Sequence, residues 1–266
     1  MSPTTNPGRP TAAALVIGDE ILSGRTRDSN LHHLAGRLTE AGIELREARV
    51  VADDAPAIEA AVRALSAGHD HLFTSGGIGP THDDITADCV ARAMGAALSV
   101  REDALAILQA HYERQGIAMN AARLRMARVP EGATLIENPV SGAPGFTIGN
   151  VHVLAGVPAI FEAMLAGLLP RLAGGPPLVS ETLRVERGEG DVAGPLGALA
   201  AERPDLLFGS YPSQDASGRF VVRVVVRGTD PEAVRAARDE LARRLGLGPD
   251  GGAEAGGRAR TPPPVG

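Results

Sequence analysis

The sequence predicts an α/β fold, with a mostly parallel sheet followed by a small α+β sandwich domain. Short apolar runs alternate with helical patterns over roughly the first 170 residues. A Gly/Pro-rich segment at residues 173–177 then interrupts the chain, and the order of patterns beyond it changes to strand, helix, strand, strand and helix. Alternating strands and helices indicate a parallel sheet with helices on both faces, because each crossover must cover one face of the sheet.

The first part of the chain has the order β-α-β-α-β. Compact apolar runs predict strands at residues 12–17, 43–51 and 71–74, and apolar residues at helical spacing predict helices at residues 30–41 and 55–66. After a glycine-rich turn the sequence predicts, in order, helices at 86–94, 101–115 and near 120–128, strands at 134–136, 146–148 and 151–154, and a helix at 158–169.

The Gly/Pro segment indicates a linker between two domains, residues 1–172 and residues 178–247. Residues 248–266 contain few apolar side chains, which predicts a disordered tail. The second domain is predicted to contain, in order, a strand at 182–185, a helix at 192–201, strands at 206–211 and 220–227, and a helix at 231–245.

Composition excludes several classes of function. The chain has 266 residues, 44% of them hydrophobic, so it can bury a substantial core. All 26 basic residues are Arg, which excludes both the lysine of a Walker phosphate loop and the lysine of Schiff-base chemistry. The net charge is −6 without a basic block, and only 3% of residues are aromatic, so we expect neither nucleic acid nor a membrane as partner.

Cysteine usage and hydropathy predict a soluble cytoplasmic protein. Cys89 is the only cysteine, which leaves no intramolecular disulfide and no cysteine-rich zinc site. The first apolar run is short and is interrupted at Gly18, unlike the core of a signal peptide. No stretch approaches the roughly 20 apolar residues that a membrane helix needs.

Acidic pairs follow each of the first three predicted strands, at residues 19–20, 53–54 and 83–84. In a parallel sheet the carboxyl ends of the strands meet at one edge, where ligands bind. We therefore expect all three pairs at the same edge of the sheet. Helix capping is the alternative for Asp54, which precedes Ala55 and Pro56, and likewise for the third pair. For the first pair the alternative is a solvated loop.

The third strand runs into a glycine-rich turn, 73-FTSGGIGPTHDDIT-86. Gly76, Gly77 and Gly79 allow the backbone to approach a ligand and to aim its N–H groups at a phosphate. Neighbouring carboxylates repel a phosphate, and a divalent cation resolves that conflict, because Mg²⁺ is held by one or two carboxylates together with phosphate oxygens and water. The turn therefore predicts metal-assisted chemistry on a phosphate or pyrophosphate.

A set of short motifs resembles the N-terminal part of the CinA family, which belongs to the molybdopterin-binding superfamily. The resemblance spans roughly the first 170 residues and also includes 209-GSYP-212 in the second domain. Its other motifs are 18-GDEIL-22, 28-DSN-30, 53-DD-54, 73-FTSGGIGPTHDDIT-86, 138-NPVSGAPGF-146 and 156-GVP-158.

The resemblance implies a three-layer α/β domain like those of the molybdopterin-binding superfamily. It implies a ligand phosphate on the loop of residues 75–80, with a metal near Asp84, whose Asp84-Ile85-Thr86 run matches the family's Asp-x-Thr motif. CinA proteins of this type are associated with a metal-dependent ADP-ribose pyrophosphatase, and a related domain in FAD synthases with FAD hydrolysis. Other superfamily members bind or adenylylate molybdopterin.

The chain also departs from the family pattern. It ends before the C-terminal amidase domain that many CinA proteins carry, so we expect no deamidation of nicotinamide mononucleotide. The family commonly shows Gly-Val-Pro-x-Glu-Met, whereas Ile160 and Phe161 stand at the last two positions here.

We expect a divalent-metal-dependent nucleotide pyrophosphatase for ADP-ribose or an FAD-like substrate, with Mg²⁺, Mn²⁺ or Co²⁺ as cofactor. The alternatives are a molybdopterin-binding protein or a molybdopterin adenylyltransferase of molybdenum cofactor biosynthesis, with molybdopterin bound. Relatives imply a homo-oligomer. The candidate catalytic residues are Asp84, Asp54 and Asp19, of which Asp84 and Asp54 hold the metal. The candidate ligand-binding residues are Ser75, Gly76, Gly77, Gly79, Thr81, Thr86, Asn30, Gly156 and Pro158.

Overall fold

The computed structural model describes residues 9–215 and 218–247. The chain divides into a large unit at residues 8–175 and a small unit that begins at residue 176. The tail predicted at residues 248–266 lies outside the described residues.

The large unit is built around one six-stranded sheet, in the order β2-β1-β3-β8-β7-β6. The first four of these strands are parallel, and β7 pairs antiparallel with both of its neighbours, β8 and β6. The elements are β1 (Thr11–Ile17), α1 (Asp19–Leu22), α2 (Asn30–Glu40), β2 (Glu44–Val51), α3 (Ala55–Gly68), β3 (His71–Ser75), α4 (Thr86–Ala93), β4 (Leu98–Val100), α5 (Glu102–Arg114), α6 (Ala121–Arg125), β5 (Arg128–Pro130), β6 (Thr134–Ile136), β7 (Gly145–Ile148), β8 (Val151–Leu154), α7 (Pro158–Leu168) and a 3-10 helix (Leu169–Arg171).

Helices cover both faces of this sheet, which confirms the predicted fold class. Side chains of β1 alternate between the faces: Ala13, Leu15 and Ile17 pack with α3 and α4, whereas Ala12 and Ala14 pack with α2 and α7. All five are buried, since a central parallel strand has no solvent-facing side. The carboxyl ends of the parallel strands are thereby held in one rigid edge.

The region between α4 and β6 differs from the prediction. The helix expected near residues 120–128 spans only Ala121–Arg125, where Asn120 accepts a 2.8 Å hydrogen bond from the Arg123 amide as its cap. The chain then becomes extended and pairs with β4 in a two-stranded sheet. Pro130 favours this outcome, because the residue before a proline is disfavoured in a helix.

A buried histidine lies in β8. His152 is 2% exposed, and its Nε2 lies 3.1 Å from Nδ1 of His71 while its Nδ1 lies 3.0 Å from the hydroxyl of Thr147. Burial, assisted by the charge of His71, lowers the pKa of His152 to about 3. The ring is therefore neutral at physiological pH, and protonating it opposes the fold.

The small unit is an antiparallel sheet covered on one face by two helices. Its strand order is β10-β11-β9, and Val222, Val224 and Val226 of the central strand face the helices. The predicted order of strands and helices is confirmed. The elements are β9 (Val179–Val185), α8 (Glu189–Glu202), β10 (Leu207–Gln214), β11 (Phe220–Gly228) and α9 (Pro231–Arg244). Within the described ranges, every helix is too short or too polar to cross a membrane.

Candidate functional site

A cavity of about 600 Å³ lies in the large unit where its parallel strands end. The loops after β1, β2, β3 and β8 form its walls, as expected for an open parallel sheet. Side chains of α5 and of the segment after β6 complete it. The lining residues are Ile17, Gly18, Glu20, Thr26, Asp53, Gly76, Gly77, Ile78, Gly79, Pro80, Asp83, Asp84, Tyr112, Met126, Asn138, Ser141, Ala143, Ala155, Gly156, Val157, Pro158 and Ile160.

The three acidic pairs meet at this cavity. Glu20, Asp53 and Asp83 line it together with Asp84, so each pair contributes at least one carboxylate. Asp19 lies in the adjoining open groove, and its N–H donates a 3.0 Å hydrogen bond to Asp53 Oδ2. The loops after three parallel strands therefore bring four carboxylates to one cavity.

The surroundings of Asp53 disfavour the ionised form of its carboxyl group. Burial is the main cause that raises the pKa of Asp53, and the negative charges of Asp19, Glu20 and Asp83 raise it further, against the hydrogen bond from the Asp19 amide. An acid whose ionised form is disfavoured by its neighbours lies in a region of negative potential. Such a region favours a cation.

Asp54 lies outside this lining. Its carboxylate accepts a 3.0 Å hydrogen bond from the Ala57 amide and caps the first turn of α3, with Pro56 inside that turn. The capping alternative is thus the contact that the structure shows. The neighbouring Asp53 lines the cavity instead.

The glycines of the turn after β3 are required by close backbone packing. Gly76 and Gly77 have φ values of 109° and 68°, in the region that favours glycine. A Cβ on Gly76 would lie 2.2 Å from the Ile17 carbonyl oxygen, and one on Gly77 would lie 2.2 Å from the Thr86 hydroxyl. Thr86 is buried, and its hydroxyl and amide donate 3.0 Å hydrogen bonds to the carbonyls of Gly76 and Gly77. Thr86 therefore shapes the turn rather than lining the cavity.

The carboxylate of Asp84 occupies much of the turn's amide cradle. It accepts hydrogen bonds from the amides of Gly79 at 2.7 Å and Thr81 at 2.8 Å, and from the Thr81 hydroxyl. The amide of Gly76 donates to the Leu154 carbonyl at 3.3 Å. Two of the three glycine amides expected to hold a phosphate are thus engaged within the protein, which corrects that expectation.

Free amides remain at the centre of the turn. In the part of the chain that the structure describes, the amides of Gly77 and Ile78 have no hydrogen-bond partner, and both residues line the cavity. The negative charge that follows the glycines therefore has a structural role in this turn. Asp84 satisfies one half of the cradle and leaves the other half open to a ligand.

Asn30 and Ser75 join the two turns that flank the cavity. The Asn30 amide group donates to the Ser75 hydroxyl at 2.8 Å and to the Gly156 carbonyl at 2.7 Å, and both side chains are buried. Gly156 approaches the first turn so closely that a Cβ there would lie 3.1 Å from Gly76 Cα. Pro158 lines the cavity and begins α7.

Several residues that line the cavity were not predicted as candidate site residues from the sequence. Asn138 and Ser141 lie within the 138-NPVSGAPGF-146 motif, whose asparagine donates to the Ser141 hydroxyl at 2.7 Å. The motif itself was a signal for Asn138 and Ser141, just as the acidic pair in 18-GDEIL-22 was for Glu20, which was expected at this edge of the sheet. Tyr112 and Met126 gave no such signal, because only the fold of α5 and α6 brings them here.

An arginine also supports the acidic turn. Arg125 donates a 3.2 Å hydrogen bond to the Asp84 carbonyl, which places a guanidinium beside the turn. Its Nε is buried without a hydrogen-bond partner in the described part of the chain. Arg128, three residues further on, forms a bidentate pair with Asp88 of α4 at 2.9 and 2.8 Å.

The donor set at the cavity fits a hard divalent cation that shares its ligands with a phosphate. Within residues 9–215 and 218–247, no group of three or more His, Cys, Asp or Glu side chains is arranged to hold a metal ion by itself. Mg²⁺ is usually held by one or two carboxylates plus substrate phosphates and water rather than by a cage of protein ligands. Oxygen ligands are present here on Glu20, Asp53 and Asp83.

Comparison with protein families gives two matches. The family described as "Probable molybdopterin binding domain" matches residues 13–174, and the family described as "FAD synthase, middle domain" matches residues 177–248. The boundary between the matches falls near the start of the small unit at residue 176.

Known relatives and solved structures agree with the first match. A protein of Pyrobaculum calidifontis is 34% identical over 247 residues, which cover 89% of this chain and 94% of that one. A "CinA-like protein" of Geobacter sp. strain M21 is also 34% identical over 247 residues, but the chain spans only 58% of its length. The crystal structure of CinA from Thermoplasma acidophilum, described as of unknown function, is 37% identical with a TM-score of 0.56 and covers 60% of this chain and 98% of that one.

Proposed function

The chain belongs to the family of molybdopterin-binding domains and has CinA-like relatives, and from this premise we propose that it is a divalent-metal-dependent nucleotide pyrophosphatase acting on ADP-ribose or an FAD-like substrate. One observation carries the proposal: four carboxylates and two backbone amides that have no partner among the described residues belong to the lining of the same cavity. Carboxylates alone would repel a diphosphate, and a site that bound a diphosphate through backbone amides alone would have no use for carboxylates.

Each side of the cavity has a distinct role in this proposal. The amides of Gly77 and Ile78 donate to oxygens of the diphosphate. One or two of the carboxylates of Asp53, Glu20 and Asp83 would hold the metal together with diphosphate oxygens and water. Asp84, which braces the turn, would keep a lone pair available to the metal, because a carboxylate offers about four acceptor sites. When bound, the cation supplies charge neutralisation on the diphosphate and a water of lowered pKa.

The remainder of the cavity suits the organic part of a nucleotide. Its volume of about 600 Å³ lies within the range of about 300–1,000 Å³ found for small-molecule sites. Tyr112 and Met126 offer aromatic and polarizable surface on which a planar ring can pack, while Asn138 and Ser141 offer polar atoms.

Release of AMP from ADP-ribose or FAD by the purified protein tests the proposal, with Mg²⁺, Mn²⁺ or Co²⁺ supplied in turn. Asp53→Asn should lower the rate by two or more orders of magnitude, on the order of one lost electrostatic contact to the transition state. Asp54→Asn is a matched control, since asparagine also caps helices well and activity should be retained. Absence of AMP from the wild type, or equal loss in both variants, contradicts the proposal.

The second candidate function is the binding or adenylylation of molybdopterin. The family description favours it, and the same amides and carboxylates would hold the pterin phosphate or an ATP phosphate. A pterin that remains bound through purification, detected by its fluorescence after oxidation, would support this function. ATP-dependent formation of adenylylated molybdopterin without AMP release from ADP-ribose would replace the first proposal.

A further inference from the structure

The exposed face of the small unit's sheet carries a concentration of arginine. Valines of β11 that face the helices alternate with residues that point to the opposite side, where Arg223 and Arg227 lie. Arg184 of β9 is the direct cross-strand partner of Arg223. In an antiparallel sheet the Cβ atoms of such partners are only about 4.5–5.5 Å apart, and like charges placed there are destabilising.

The two arginines have little compensation from acidic groups. Arg184 lies 3.5 Å from Glu186, an exposed pair, while Arg223 has no hydrogen bond or ion pair in the described ranges. A guanidinium does not lose its proton in a protein, so the repulsion cannot be relieved by deprotonation. An anion between the two side chains would relieve it.

A hollow of about 170 Å³ lies where the two side chains meet. Its walls are Thr182 and Arg184 of β9, Ser213 of β10, and Val221 and Arg223 of β11. The hydroxyl of Ser213 donates to the Val221 carbonyl at 3.3 Å, whereas the hydroxyl of Thr182 has no partner in the described part of the chain. The hollow thus offers two guanidinium groups and one free hydroxyl donor.

A third arginine lies on the same face of the sheet, outside the lining of the hollow. Arg227 donates a 2.9 Å hydrogen bond to the hydroxyl of Tyr211, the direct cross-strand partner of Arg223 on β10. This contact fixes a further positive charge near the open face. Among the residues that line the hollow, both charged side chains are arginines, and the acidic group recorded beside them is Glu186, which pairs with Arg184.

We propose that this hollow binds the phosphate group of a small phosphorylated ligand, at a site separate from the large unit's cavity. Guanidinium groups form paired hydrogen bonds to phosphate oxygens, and two that converge can hold one phosphate from both sides. The volume is below the range of about 300–1,000 Å³ typical of sites that enclose a whole ligand, so the hollow takes a phosphate head group and leaves the rest exposed.

Titration of the full chain with inorganic phosphate and with AMP, followed by the Nε–Hε signals of the arginines in ¹⁵N-resolved NMR spectra, tests this site. The signals of Arg184 and Arg223 should shift as phosphate or AMP is added and should reach a plateau when the site is saturated. The loss of a signal in Arg184→Gln or Arg223→Gln assigns it to the replaced arginine. Each variant should weaken binding at the remaining arginine by about tenfold or more, the loss expected for a charge-assisted hydrogen bond. Arg235→Gln, an exposed arginine on α9, is the matched control and should change binding by less than about twofold.

Further outcomes decide against the site. Shifts that sodium chloride of equal ionic strength reproduces would show general screening and overturn the proposal, as would an unchanged dissociation constant in Arg223→Gln. A single-stranded oligonucleotide that shifts these signals at a phosphate concentration where AMP does not would assign the face to nucleic acid instead. Because both variants remove a like-charge neighbour, we expect them to unfold at the same temperature as the wild type or above it, so a loss of binding will not reflect misfolding.

Discussion

Replacing Asp84 with asparagine separates the two roles given to this residue. Its carboxylate accepts hydrogen bonds from the amides of Gly79 and Thr81 at 2.7 and 2.8 Å. Asparagine has one acceptor oxygen, so one amide would face an NH₂ group, a donor opposite a donor. A hydrogen bond to a charged group contributes about 1.5–3 kcal/mol, and since Thr81 is exposed we expect a loss near the lower limit, about 1–2 kcal/mol.

Thermal unfolding without added metal, in the presence of EDTA, measures this loss. For a unit of this size the expected fall in Tm is about 2–8 °C. Thr81→Val removes only the hydroxyl bond to Asp84 and should lower Tm by a smaller amount, which gives a graded series. An Asp84→Asn variant with the wild-type Tm would refute the structural role of the carboxylate and leave it solely as a ligand for metal or phosphate.

Four other substitutions give distinct expectations. Gly77→Ala places a methyl group 2.2 Å from a buried hydroxyl and should lower the free energy of unfolding by more than the roughly 1 kcal/mol of a strained left-handed alanine. Gly95→Ala, at the same φ of 68° but in open space, should lower it by that strain alone. Denaturant unfolding of both variants measures the difference. Asn30→Ala removes the bond to the Gly156 carbonyl. It should raise KM, measured by substrate titration, while lowering Tm only slightly in a melting curve. Burial holds the pKa of His152 near 3, so as the pH falls the unfolded chain binds a proton at this residue before the folded chain does. The free energy of unfolding should therefore fall between about pH 6.5 and pH 3, by up to about 1.4 kcal/mol per pH unit. His152→Leu should reduce this pH dependence, measured by urea unfolding at successive pH values.

Local patterns in the sequence were sufficient for the sheet and for one edge of the site. The buried strand at Thr11–Ile17 and the acidic pairs after the first three strands are short-range signals, and parallel topology alone brings them together. The glycine turn was recognised for the same reason, because positive φ and close packing leave glycine as the residue that fits.

Contacts that depend on the direction of a side chain could not be predicted from the sequence. Asp53 and Asp54 are adjacent, and only the start of α3 decides that the second caps the helix while the first faces the cavity. The bonds from the Gly79 and Thr81 amides to Asp84 depend on the exact path of the turn. Tyr112 reaches the cavity because of how α5 packs, and no local sequence pattern predicts that packing.

The dependence of nucleotide affinity on a divalent cation tests the central claim most directly. Calorimetric titration with a non-hydrolysable ADP-ribose analogue should show binding at least about tenfold tighter in Mg²⁺ than in EDTA, since the cation must offset the repulsion from Glu20, Asp53 and Asp83. In Asp53→Asn that difference should shrink. Equal affinity with and without the cation in the wild type would contradict a metal-bridged diphosphate site.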